Sequence, residues 1–181
     1  MKNEELFPLV NEDGVVIGKA TRSFCHSGSK VLHPVVHLHI LNEEGKIYLQ
    51  KRSMKKDIQP GKWDTAVGGH IDYGEKVEEA LMREAREELG IKYFEYTLVC
   101  KYLFESEIEK ELINCYKTIY NGAITPNLDE VDEGKFWSEC FCVFHLVDSL
   151  EFTSVTFGSN RLPCEERVDL AVVRLEGQTS D

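Results

Sequence analysis

Residues 69–91 read GHIDYGEKVEEALMREAREELGI, and this stretch constrains the rest of the chain more than any other. From Lys76 to Leu89 it is rich in Glu, Ala, Leu, Met and Arg, all good helix formers, and Gly90 supplies a stop signal. At about 100° per residue, Val77, Leu81, Ala85 and Leu89 form one stripe, which predicts the buried face. Glu84 and Glu88 fall at the edge of that stripe, and Glu87 lies on its flank near Ala80. A Glu-rich helix is ordinarily a solvated face. That suits Glu78 and Glu79 but not Glu84 and Glu88, which point toward packed structure. Like charges four residues apart repel. Anions near a helix C-terminus oppose the macrodipole, and a buried charge is costly unless paired. One divalent cation reverses all three effects, and hard oxygen ligands suit Mg2+ or Mn2+. Arg83 and Arg86 are the competing partners.

The chain has 181 residues, enough for one ordinary domain with a sizeable core. Its 42% hydrophobic and 29% charged content suits a globular protein. A net charge of -11 with no basic patch argues against a nucleic-acid polymer as partner. Small phosphorylated anions stay compatible if a metal supplies local positive charge. No segment approaches the roughly 18 apolar residues of a membrane span. The start, MKNEELFPLV, lacks a signal-peptide pattern, and the six cysteines show no C-x-x-C pair. A cytoplasmic protein with reduced thiols is expected, and a homodimer is compatible with the sequence.

Around the helix the pattern predicts strands. LFPLV and VVIGKA flank Asp13-Gly14, a hairpin signal. A polar connection with His26 and His33 follows. PVVHLHILN then alternates, with Val36, Leu38 and Ile40 on one face and Val35, His37 and His39 on the other. KIYLQKR is its hairpin partner. SMKKDIQPGKWD is a loop, and TAVGGH a short strand whose Gly68-Gly69 lets the backbone approach a ligand. FEYTLVCKYLFE and ELINCYKTIYNG pair antiparallel, ITPNLDEVDEG is an acidic loop, and KFWS opens a further strand. The order favours an α/β or α+β sandwich with a mixed sheet. Residues 1–150 are expected to form the domain. HLVDSL suits one or two helical turns, and residues 151–181 form a tail of uncertain structure.

The central stretch resembles the Nudix box, G-x(5)-E-x(7)-R-E-U-x-E-E-x-G-U, with U aliphatic. Gly69, Glu75, Arg83, Glu84, Glu87, Glu88, Gly90 and Ile91 fill its fixed positions, with Ala85 at the first U. The resemblance implies a Nudix-type α/β/α sandwich and cleavage of a nucleoside diphosphate derivative or a related small diphosphate. It implies Glu84, Glu87 and Glu88 as metal ligands for Mg2+ or Mn2+, with a contact from the Gly69 carbonyl. Glu75 and Arg83 would support the loop and helix geometry.

From Phe7 to Trp137 the chain looks most like the isopentenyl-diphosphate-isomerase-like branch, through LVNEDGVVIGKATR, IYLQKRSMKKDIQPGKWD and the GGH before the box. His26 and His33 match a pair of metal-binding histidines in the isomerases, and His70 sits where a third would be. The alternatives are therefore isomerisation of a five-carbon diphosphate or a silent binding module. Two departures favour hydrolysis. Gly68 stands where the isomerases carry a catalytic cysteine, and Ile113 aligns with their catalytic glutamate, with Glu109 and Glu111 nearby. The box is intact, where isomerases usually have a degraded one. Glu130 and Glu133 are the distant candidates for a general base, against the plain alternative of a solvated acidic turn. His37 and His39 either line the pocket or pack. Trp63, Trp137 and Tyr73 either stack on a base or pack, with Trp137 expected in the core.

Overall fold

A computed structural model describes residues 4–56 and 60–138. The expected HLVDSL turn, the domain boundary at residue 150 and the tail lie outside the described residues. The first hairpin is β1 (Leu6–Val10) and β2 (Val16–Thr21), closed by Gly14 at φ +81°. A one-turn helix, α1 (Arg22–Cys25), follows where the sequence suggests only a polar connection. Its cap explains it: the Thr21 hydroxyl accepts the Phe24 N–H at 3.3 Å.

β3 (Leu32–Leu41) is the axis of the sheet. β4 (Ile47–Arg52) pairs antiparallel with its C-terminal end, while β6 (Val67–His70) pairs antiparallel with its middle. The full length of β3 runs parallel to β8 (Lys110–Ile119), which pairs antiparallel with β7 (Thr97–Glu105). β5 (Trp63–Asp64) and β9 (Val131–Trp137) both pair with β4. One parallel pair among antiparallel ones makes the sheet mixed, as the sequence pattern predicts. β9 begins four residues earlier than KFWS suggests. Val131 is fully buried, whereas Asp132 and Glu133 face solvent on an edge strand, where charges are tolerated.

The long helix α2 (Val77–Leu89) lies on the sheet. Its Ala80, Leu81, Ala85 and Leu89 form one core with Val36, Leu38 and Ile40 of β3 and Tyr116 of β8. Val35 alternates to the opposite face and packs with Ile113 and Cys115. Two devices hold α2 in place. Glu79, read from sequence as surface, accepts the Lys76 N–H at 3.1 Å and caps the N-terminus. At the other end Gly90 is left-handed at φ +69°, and the Ile91 N–H reaches the Ala85 carbonyl, six residues back, at 3.2 Å. Thr125 and Asn127 donate their N–H groups to the carbonyls of Leu89 and Glu88. The loop before β9 thus satisfies helix carbonyls that would otherwise lack partners. No helix among the described residues is long and apolar enough to cross a membrane.

Candidate functional site

Arg83 is the hub of the acidic helix. It holds Glu75 through both carboxylate oxygens, each at 2.9 Å. The same guanidinium reaches Glu84 at 2.7 Å, Glu87 at 3.3 Å and the His70 carbonyl at 2.9 Å. Glu75 also accepts the Asp72 N–H at 3.0 Å, so the loop between β6 and α2 is tied to the helix by one carboxylate. The bond to Glu75, and then the charge and bond of Glu84, raise the Arg83 pKa.

Glu84 and Glu88 lie one turn apart on the side of α2 that faces β6. Glu88 is only 4% exposed. Its Oε2 accepts Gln50 Nε2 at 3.0 Å and the Gly68 N–H at 3.3 Å. Burial, and then the neighbouring Glu84, push its carboxyl up to about 7. Burial also raises Glu84, opposed by Arg83. Glu87 is half exposed on the flank. Gly69 is bare for a steric reason: a Cβ there would lie 2.1 Å from Glu84 Cδ. A buried and a half-buried carboxyl one turn apart oppose each other's ionisation, and hard oxygen donors in this arrangement fit Mg2+ or Mn2+.

The acids border a cavity of about 600 Å³. Arg22, Arg52, Lys55 and Lys56 contribute cationic side chains to its lining. Arg52 is held by Asp64 at 3.3 Å, Lys55 by Asp129 at 2.7 Å, and Lys56 pairs with Glu130. Glu130, an expected base candidate, therefore lines the cavity, but in an ion pair. Glu133 is not brought there. It sits on β9 opposite Lys51 and bonds Lys135 at 2.9 Å. A cavity with fixed cations beside a carboxylate cluster can hold a polyanion and a metal together.

A second cluster lies behind His70. Ligand atoms of His26, His33, His70 and Glu109 all fall within 4.8 Å of one another. His26 and His70 meet Nε2 to Nε2 at 3.0 Å, and Glu109 reaches His26 at 3.4 Å. Phe7 stacks on His70 at 4.4 Å between centroids. The three histidines expected together are together. The fourth member, Glu109, stands in the sequence only as a neighbour of Ile113 and was not expected in this set. Ile113 packs with Val35 and Cys115, whereas Glu111 lines the cavity. Because strand side chains alternate, Glu111 and Ile113 share one face of β8, and a two-residue slip between them keeps that face.

His37 lines the cavity and His39 does not. His39 bonds Thr65 Oγ1 at 3.3 Å, and burial lowers its pKa to about 4. Trp63 and Trp137 meet edge to face at 5.0 Å with Lys135 over both rings, so Trp137 is half-buried rather than in the core. Tyr73 is exposed beneath Lys19. None of the three aromatics lines the cavity. Gln50 was also missed. Its signal is a polar residue on the inward face of β4, two positions from buried Tyr48.

An isopentenyl-diphosphate Delta-isomerase of Paenarthrobacter aurescens is 29% identical over 163 residues, covering 87% of this chain and 86% of that protein. An uncharacterized Nudix hydrolase of Nostoc, all7351, is 37% identical over 91 residues, covering 50% of this chain and 54% of that protein. The crystal structure of DR0079 from Deinococcus radiodurans shares the fold with a TM-score of 0.70 at 24% identity, covering 80% of this chain and 90% of that one. The NUDIX domain profile matches residues 31–155, well over half the sequence, and the chain belongs to the Nudix family.

Proposed function

We propose that the protein is a Mg2+- or Mn2+-dependent hydrolase that cleaves the diphosphate linkage of a nucleoside diphosphate derivative or a related small diphosphate. The observation that carries this is the pair of buried Glu88 and half-buried Glu84, one helical turn apart at a cavity whose other side chains include Arg22, Arg52 and Lys56. Glu84, Glu87 and Glu88, with the Gly69 carbonyl, would hold the metal, which supplies charge neutralisation and an acidified water. Arg52 and Lys56 bind diphosphate oxygens, and their partners Asp64 and Glu130 fix them in place. Arg83 holds Glu84 and Glu87 in position from behind. Water attacks one phosphorus, the bridging P–O bond breaks, and the leaving phosphate departs with the electron pair. Nucleoside diphosphates, nucleotide sugars, dinucleoside polyphosphates and isopentenyl diphosphate, assayed with Mg2+ in 18O-water, test this. Label in a released phosphate is expected. Intact diphosphates throughout would sink the reading.

The second reading is isomerisation of a five-carbon diphosphate. The histidine cluster with Glu109, and Glu111 in the cavity wall, favour it. Proton transfer at carbon needs an acid and a base, and Gly68 offers neither. Exchange of deuterium from solvent into isopentenyl diphosphate without phosphate release would establish it over hydrolysis.

A further inference from the structure

We propose that Gln50 is a positioning residue of this site: its amide holds one oxygen of Glu88 and so leaves the other to the metal. The assignment rests on the hydrolase reading above and adds to it a residue from outside the acidic helix. Gln50 lies within β4 and is 1% exposed. Its Nε2 donates to Glu88 Oε2 at 3.0 Å, and the Gly68 N–H donates to the same oxygen at 3.3 Å. Among the described residues no hydrogen bond goes to Glu88 Oε1, and Glu88 lines the cavity. Two donors on one oxygen fix the rotation of a carboxylate whose terminal torsion is otherwise soft.

The other two glutamates of the cluster are oriented differently. Arg83 reaches Glu84 and Glu87 from their own helix, and its charge offsets part of theirs. Gln50 reaches Glu88 from the sheet and brings no charge, so the carboxylate keeps its attraction for a hard cation. β4 pairs with β5 at Gln50 and Asp64, and with β9 at Gln50 and Gly134. The amide is thus carried on a strand braced from both sides rather than on a loop. The amide oxygen of Gln50 is itself buried without a hydrogen-bond partner among the described residues. An apolar side chain of the same length would avoid that cost. What the amide offers in return is the N–H that holds Glu88.

The test uses the full chain, stripped with chelator, and Mg2+ alone as the probe, titrated by calorimetry. Gln50→Met keeps the length of the side chain without its amide. It is expected to raise the Mg2+ dissociation constant about 10- to 100-fold. Glu88→Gln, titrated alongside, marks the heat that belongs to the acidic helix. With the diphosphate of the panel above that wild type turns over fastest, Gln50→Met should lose turnover at low Mg2+ and regain it as Mg2+ is raised. KM for that diphosphate should be unchanged at saturating metal. A side chain that merely fills space would lower the metal-free melting temperature and leave Mg2+ affinity as it was. If Gln50→Met does not fold, Gln50→Leu and Gln50→Asn carry the test, with melting curves as the control. Wild type that binds no Mg2+, or turns over no panel member, overturns the hydrolase reading and this assignment with it. Wild-type turnover with the Mg2+ dissociation constant of Gln50→Met within about threefold of wild type overturns the assignment alone.

Discussion

Gly68 and Gly69 are adjacent in sequence and opposite in what they tolerate. Alanine at 68 would make only ordinary contacts with His37 and Thr65, whereas alanine at 69 would overlap the Glu84 carboxylate. Gly68→Ala should therefore melt as wild type does. Gly69→Ala should also fold, because the Glu84 side chain can swing aside, but with its bond to Arg83 broken. Misplacing a metal-site carboxylate by an ångström or more should cost on the order of 100-fold in turnover. Equal turnover in the two variants would show that Glu84 does not act from its present position. Glu88 sets a second expectation. Its carboxyl rises from an ordinary 4.5 to about 7, so between those values the folded state binds the proton more tightly than the unfolded chain. The sign is fixed: metal-free protein gains from this group at low pH and loses that gain as pH climbs through about 7. The size is about 3 kcal/mol. Urea melts from pH 4.5 to 8 in chelator should show the fall, and Glu88→Gln should flatten it. The amide oxygen of Gln can still accept from Gln50 and Gly68, so the variant should be no less stable than wild type at pH 8. A lower metal-free melting temperature there would contradict this account of the buried carboxyl.

At the scale of elements, α2 was the most legible part of the sequence. Its apolar stripe, its end at Gly90 and the inward turn of Glu84 and Glu88 follow from a 3.6-residue period over a long segment. The strands were legible as strands, and the alternation of Val36, Leu38 and Ile40 against Val35 and His37 placed both faces of β3 correctly. What the period could not give was pairing across the sheet. That His33 stands beside Glu111, and Val35 beside His70, depends on register between segments far apart in sequence. The places of Glu109 and Glu111 are therefore set by the pairing of β3 with β8 and leave no trace in local periodicity. The capping role of Glu79 was missed for a different reason: a single side-chain bond to a backbone N–H leaves no periodic trace. The C-terminal cap of α2 is testable on its own. Gly90→Ala places a side chain on a left-handed residue with its Cβ 3.3 Å from the Thr125 carbonyl. The loss should be about 1 kcal/mol or somewhat more by denaturant melts. An unchanged midpoint would mean that the cap relaxes freely and does not hold the 125–127 loop against the helix.

Over the whole molecule the feature with most consequence is the presence of two donor sets of different character, back to back. Oxygen donors of Glu84, Glu87 and Glu88 lie on one side of Arg83. On the other, Arg83 holds the carbonyl of His70, whose imidazole belongs to the set of three histidines and Glu109. Carboxylates alone suit Mg2+, whereas imidazoles with one carboxylate suit Zn2+ or Mn2+. If both sets take metal, each ion stabilises the fold separately, by about 2.7 kcal/mol when present at 100 times its dissociation constant. Melting curves with Mg2+ alone and Zn2+ alone should then show two independent gains. Glu88→Gln should remove the Mg2+ gain and keep the Zn2+ gain. Glu109→Gln should do the reverse, and it is a milder change than removing His33 from a fully buried position. Loss of both gains in either single variant would mean one shared site rather than two. Loss of the Mg2+ gain alone, with no Zn2+ gain in wild type, would leave the histidines as a packed polar cluster under Phe7. The same two variants separate the two proposed reactions. A hydrolase that works from the acidic helix should survive Glu109→Gln and be lost in Glu88→Gln, whereas an isomerase that works from the histidine side should lose turnover with Glu109.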